Sequence, residues 1–138
     1  MTEIEIFVEK MKMKYGKDVI VKMRNCSEET LTQVPQPLIE LYSYYDSIEF
    51  PFGRIDSIGA AVKHSNTVEP FKSKGWFCFG FDGYFSFWLC SYNPDSEGLW
   101  ITSWDHETDN KIECVYSNLI EFLQDMEEEY EENDDRIS

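Results

Sequence analysis

Cationic residues are scarce in this chain of 138 residues: 12 lysines and arginines stand against 27 aspartates and glutamates, a formal net charge of −15 at pH 7. So negative a surface repels phosphate backbones and anionic headgroups, which argues against nucleic-acid or membrane binding and for a basic partner. Histidine is scarcer still. His64 and His106 are the only two, and neither lies in a nucleophile–base pattern such as GxSxG. The cysteines, Cys26, Cys78, Cys90 and Cys114, form no CxxC pair and no metal-ligand spacing, and read as reduced thiols of a cytoplasmic protein. No apolar run approaches the ~18 residues of a membrane span. Glu3 and Glu5 stand where a secretory signal carries basic residues. The glycines and prolines are scattered as turn residues, so no P-loop or dinucleotide fingerprint can be drawn through them.

What is present is apolar and aromatic. Hydrophobic residues make up 42% of the chain and aromatics 16%, enough for one folded core and against general disorder. One domain over residues 1–130 is expected, followed by an acidic tail, 131–138, that continues the last helix and frays. No internal repeat is found.

The first element is a helix. Thr2 and Glu5 have the spacing of a capping box, Ile4, Phe7, Val8, Met11 and Tyr15 share one helical face, and Gly16 is a stop. Residues 19–24 alternate weakly, as an edge strand or an irregular link. Ser27 starts a short helix, and Pro35 and Pro37 open another whose buried stripe is Leu38, Leu41, Tyr42 and Tyr45. Phe50 to Ile55 reads as a turn or broken edge strand, and Gly59 to Pro70 as loop with at most a helical turn.

The strongest local pattern runs from Gly75 to Cys90. Asp82-Gly83 is a preferred pair for a two-residue hairpin turn. In that register Phe81 faces Tyr84, Phe79 faces Ser86 and Phe77 faces Trp88 on one side of the ribbon. Trp76, Cys78, Gly80, Phe85, Phe87 and Leu89 take the other, and Cys78 and Cys90 cannot form a disulfide. Both sides are apolar, so the ribbon is either covered on both sides or left with a binding face. Leu99 to Trp104 is a further strand with Trp100 and Trp104 on one side, and Ile112 to Tyr116 another. Ser117 caps a last helix with the stripe Leu119, Leu123, Met126 and Tyr130.

Catalytic and metal chemistry find little support. Asp105, Glu107 and Asp109 alternate as in a calcium loop, but the sixth and twelfth positions are Asn110 and Tyr116, where an EF-hand needs glycine and glutamate. A carboxylate pair for glycoside hydrolysis rests only on the abundance of acids. No enzyme, cofactor or metal is expected.

In order, these elements resemble the SMI1/KNR4 (SUKH) superfamily. The residues that carry the resemblance are Val34-Pro35-Gln36-Pro37-Leu38-Ile39, Phe52-Gly53-Arg54-Ile55, Phe79-Gly80-Phe81-Asp82-Gly83-Tyr84-Phe85 and Val115-Tyr116-Ser117-Asn118-Leu119-Ile120-Glu121-Phe122-Leu123. Val34 replaces the usual leucine, and Asp46-Ser47-Ile48 replaces an asparagine-glycine turn. The resemblance implies an α+β fold, an antiparallel or mixed sheet flanked by N-terminal helices and a C-terminal helix. It also implies a non-catalytic immunity protein that neutralises a toxin, often a nuclease, or a regulator of cell-wall synthesis. The expected partner is a basic toxin domain and the expected state a monomer or weak homodimer. The expected contact residues are Asp82, Asp95, Glu97, Trp104, Asp105, Glu107 and Asp109.

Overall fold

The structure, a computed structural model, describes residues 1–91, 100–105 and 115–137, the stretch 133–137 as backbone only. Six α-helices, one 3₁₀ turn and six strands are assigned among them. α1 is Glu3–Tyr15, followed by a 3₁₀ turn, Gly16–Asp18; α2 is Glu28–Leu31 and α3 Gln36–Tyr44. α4 is Ile58–Thr67, α5 Phe71–Lys74 and α6 Leu119–Ile137. The strands are β1 Ile20–Met23, β2 Tyr45–Phe50, β3 Gly53–Ile55, β4 Trp76–Phe81, β5 Ser86–Ser91 and β6 Ile101–Asp105. They form one sheet in sequence order, β1-β2-β3-β4-β5-β6, with every neighbouring pair antiparallel. The fold is thus α+β with a wholly antiparallel sheet and helices at both ends.

Local chemistry accounts for most helix starts. The Thr2 hydroxyl accepts the Glu5 N–H while the Glu5 carboxylate accepts the Thr2 N–H, the reciprocal capping box. Ser27 and Ser57 cap α2 and α4 through their hydroxyls. The cap of α6 is Asn118 rather than Ser117: its side-chain oxygen accepts the N–H groups of Ile120 and Glu121 at 2.7 and 3.2 Å.

Residues 59–70 depart furthest from expectation, since most of them form α4 rather than loop. Its sequence has weak apolar periodicity because it serves two clusters. β3 is short and pairs only the far end of β4, at Arg54–Phe81 and Ile55–Gly80. α4 packs against the remaining edge of β4, where the Ser65 hydroxyl accepts the Cys78 N–H at 2.8 Å. Ile58 and Ala61 join the main core, while the His64 ring meets Phe71 and Phe87 on the other face.

Each face of the hairpin has its own apolar cluster. On one, Phe77, Phe79, Trp88, Cys90 and Ile101 pack with α1, α3 and α6. On the other, Cys78, Leu89 and Trp104 pack with Phe71 of α5, joined by half-buried Trp76, Phe87 and Trp100. The hairpin is therefore covered on both sides.

Its register corrects the two-residue turn. Phe81 pairs with Phe87, Gly80 with Trp88, Cys78 with Leu89 and Phe77 with Cys90. Phe79 is the extra residue of a bulge between Cys78 and Gly80. The bulge sends Gly80 to the main-core side and Phe81 to the opposite one, where its ring lies 5.0 Å from that of Phe87. The connecting loop is longer than Asp82-Gly83, closed by the Asp82 N–H donating to the Ser86 carbonyl at 3.0 Å.

Candidate partner-binding surface

Antiparallel order brings separate parts of the sequence to one end of the sheet. The β2–β3 turn, the β4–β5 tip, the end of β6 and the residues just before β1 all lie there. The tip is organised by Asp82, whose Oδ1 accepts the N–H groups of Tyr84 and Ser86 at 2.8 and 3.2 Å. With the backbone turned this way, Tyr84 and Phe85 have no core to enter. They are 75% and 53% exposed.

Of the expected contact residues, Asp82 and Asp105 are brought together. Ser86 lies between them, paired with Asp105 across the β5–β6 ladder and bonded to Asp82 across the tip. Trp104 is directed elsewhere: only 5% exposed, it packs edge-on against Phe71 and Trp76 in the second cluster. Asp95, Glu97, Glu107 and Asp109 lie outside the described residues.

The same end gathers acids that sequence reading did not single out. Asp18, Glu49 and Asp82 line a groove of about 300 Å³ together with Phe50, Pro51, Gly53, Arg54, Phe81 and Gly83. Among the described residues Arg54 is the one cation lining it, and its Nε donates to the Asp56 carboxylate at 3.0 Å while its guanidinium lies over the Phe81 ring. α6 adds Glu129. The residue as a whole is exposed, yet crowding around its carboxyl pushes its pKa up, reinforced by the charges of Asp125, Glu132 and Asp82. Glu129 thus lies within electrostatic reach of Asp82.

Lys14 of α1 bonds Glu127 at 3.0 Å and also pairs with Glu131, which holds the lysine charged above its usual range and draws the Glu131 carboxyl down. Sequence alone could have flagged Tyr84 and Phe85, as large aromatics directly after Asp-Gly. Asp18 and Glu49 carried no such mark, because only strand order puts them beside Asp82.

Among the described residues no group of three His, Cys, Asp or Glu side chains is placed to hold a metal ion, and no helix is long and apolar enough to cross a membrane. Comparison with protein-family models, curated proteins and solved structures finds no match to the chain.

Proposed function

We propose that this chain is a non-catalytic binding module that neutralises a basic protein partner, a toxin domain of the kind countered by the immunity proteins of the SMI1/KNR4 superfamily it resembles, inside the cytoplasm. The observation supporting this is the acidic sheet end, where Asp82 and Asp105 flank a tip that exposes Tyr84 and Phe85. Charge of one sign raises the encounter rate with a basic surface, and exposed aromatics supply the area that sets residence time. A toxin that handles phosphate needs a basic groove, which this end would cover. Binding would also relieve the repulsion among the module's own carboxylates.

The test is capture followed by reconstitution. A basic protein retained by the tagged chain is purified, and its activity is titrated with the chain at two salt concentrations. Complete inhibition at one-to-one stoichiometry, with an association rate that falls steeply as salt rises, is the expected result. Binding that leaves the captured protein's activity intact would overturn the reading.

A further inference from the structure

Among the described residues, the sheet face opposite the main core is covered over only half its width. Cross-strand pairing sets one row of side chains on this face: Ile20, Glu49, Arg54, Phe81, Phe87 and Trp104, one from each strand. At the β5–β6 end, His64 and Phe71 pack against Phe87, and Phe71 against Trp104. At the β1–β3 end, Ile20, Glu49 and Arg54 are exposed, and Phe81 is half-buried at the boundary under the Arg54 guanidinium at 5.8 Å. The groove lined by Asp18, Glu49, Arg54, Phe81 and Asp82 opens at this uncovered half.

We propose that this open half-face is where the partner's anchor docks, and that the anchor is an arginine or lysine flanked by apolar residues. The inference rests on the proposed function and names the part of the surface that carries it. Two features of the face select that occupant. The carboxylates of Asp18 and Glu49 make no hydrogen bond or ion pair among the described residues, and the only lining cation is already committed to Asp56. An incoming guanidinium or ammonium therefore meets the uncommitted carboxylates of Asp18 and Glu49, with Asp82, whose Oδ1 is held by the tip N–H groups, beside them. Beside them stands apolar surface: Ile20, 51% exposed, paired with Glu49 across the β1–β2 ladder, and half-buried Phe81, paired with Arg54. A cation with an apolar flank matches both, whereas a purely aliphatic segment would bury the carboxylates unpaired.

The probe is a short acetylated and amidated peptide, Leu-Arg-Leu, alongside its citrulline counterpart, which keeps the shape and removes the charge. Amide shifts in ¹⁵N-labelled full-length protein are followed during titration. Saturable shifts at Gly53, Arg54, Phe81 and Gly83 with the arginine peptide only are expected. The paired replacement of Asp18→Asn and Glu49→Gln, exposed positions that leave the fold intact, should weaken binding roughly fivefold or more. Equal shifts with citrulline, or saturable arginine binding centred on α6 and unaffected by the paired replacement, would overturn the docking site. The latter would leave the basic-partner reading standing, because that reading is tested separately by inhibition of the captured protein.

Discussion

The indole of Trp88 occupies the space that a side chain at Gly53 would need: a Cβ there would stand 2.3 Å from Cζ2 and 2.6 Å from Cη2. Gly80 serves the same ring from β4, where a Cβ would meet Cε3 at 2.8 Å and the Arg54 carbonyl oxygen at 2.3 Å. Trp88 is fully buried between Phe52, Phe79 and Phe122, and its Nε1 finds no hydrogen-bond partner among the described residues. Gly53→Ala is expected to cost ~2–4 kcal/mol of unfolding free energy, from overpacking and from its φ of +152°. Urea denaturation measures it. In a Trp88→Phe background the same substitution should cost less, since the smaller ring vacates the space. An unchanged cost would show that the clash is not with the indole.

Asp82 separates turn-building from charge. Asp82→Ala removes the acceptor for the Tyr84 and Ser86 N–H groups and should lower stability by about 1–2 kcal/mol. Asp82→Asn keeps an acceptor at Oδ1 and should lose far less, while removing one negative charge from the tip. Thermal unfolding of both variants checks this; equal losses would mean that charge, not the acceptor, holds the turn.

Alkaline pH should act through two buried thiols. Burial pushes the Cys78 and Cys90 pKa values up to about 12 each, against about 8.5 for an exposed thiol. In the sign that follows, their contribution is fully present below about pH 8.5 and is lost as pH rises toward the folded value. In a protein carrying Cys26→Ser and Cys114→Ser, Ellman's reagent at pH 8.5 should label these thiols only at the rate of unfolding. Prompt labelling without denaturant would refute this.

Ionised Glu129 costs the fold stability, first through desolvation of its carboxyl and then through neighbouring acids. The raised pKa of Glu129 means that its ionisation disfavours the native state. This cost is present above the folded pKa and vanishes as pH falls through it toward the unfolded value near ~4.3. Glu129→Gln should therefore raise Tm at pH 7 by about 1–3 °C, and added salt should raise the parent's Tm more than the variant's. Glu131, drawn down by Lys14, works in the opposite sense: its contribution is present above ~4.3 and is lost as pH falls. Scanning calorimetry at pH 7 and pH 4 separates the two.

Elements marked by local chemistry were legible: the Thr2–Glu5 box, the proline-opened α3, the hairpin around Asp82-Gly83 and the apolar face of α6. α4 was not, because a helix that divides its side chains between two clusters shows no single stripe. The Phe79 bulge was equally hidden, since adding one residue to one strand leaves composition and alternation almost unchanged. At the candidate surface Asp82 and Asp105 were readable as acids in turns. Their grouping with Asp18 and Glu49 depends on strand order, a long-range property that no local window contains.

That strand order bears on how the molecule assembles. Every ladder among the described residues joins strands adjacent in sequence: β2–β3 and β4–β5 close over a few residues, whereas β1–β2 and β3–β4 close over residues 24–44 and 56–75, which carry helices. Contacts that span nearly the whole chain are instead made by helices, as where Lys14 reaches Glu127. The β2–β3 and β4–β5 hairpins are thus free to form early, and mutations at the α1–α6 contact should accelerate unfolding while leaving the refolding rate nearly untouched.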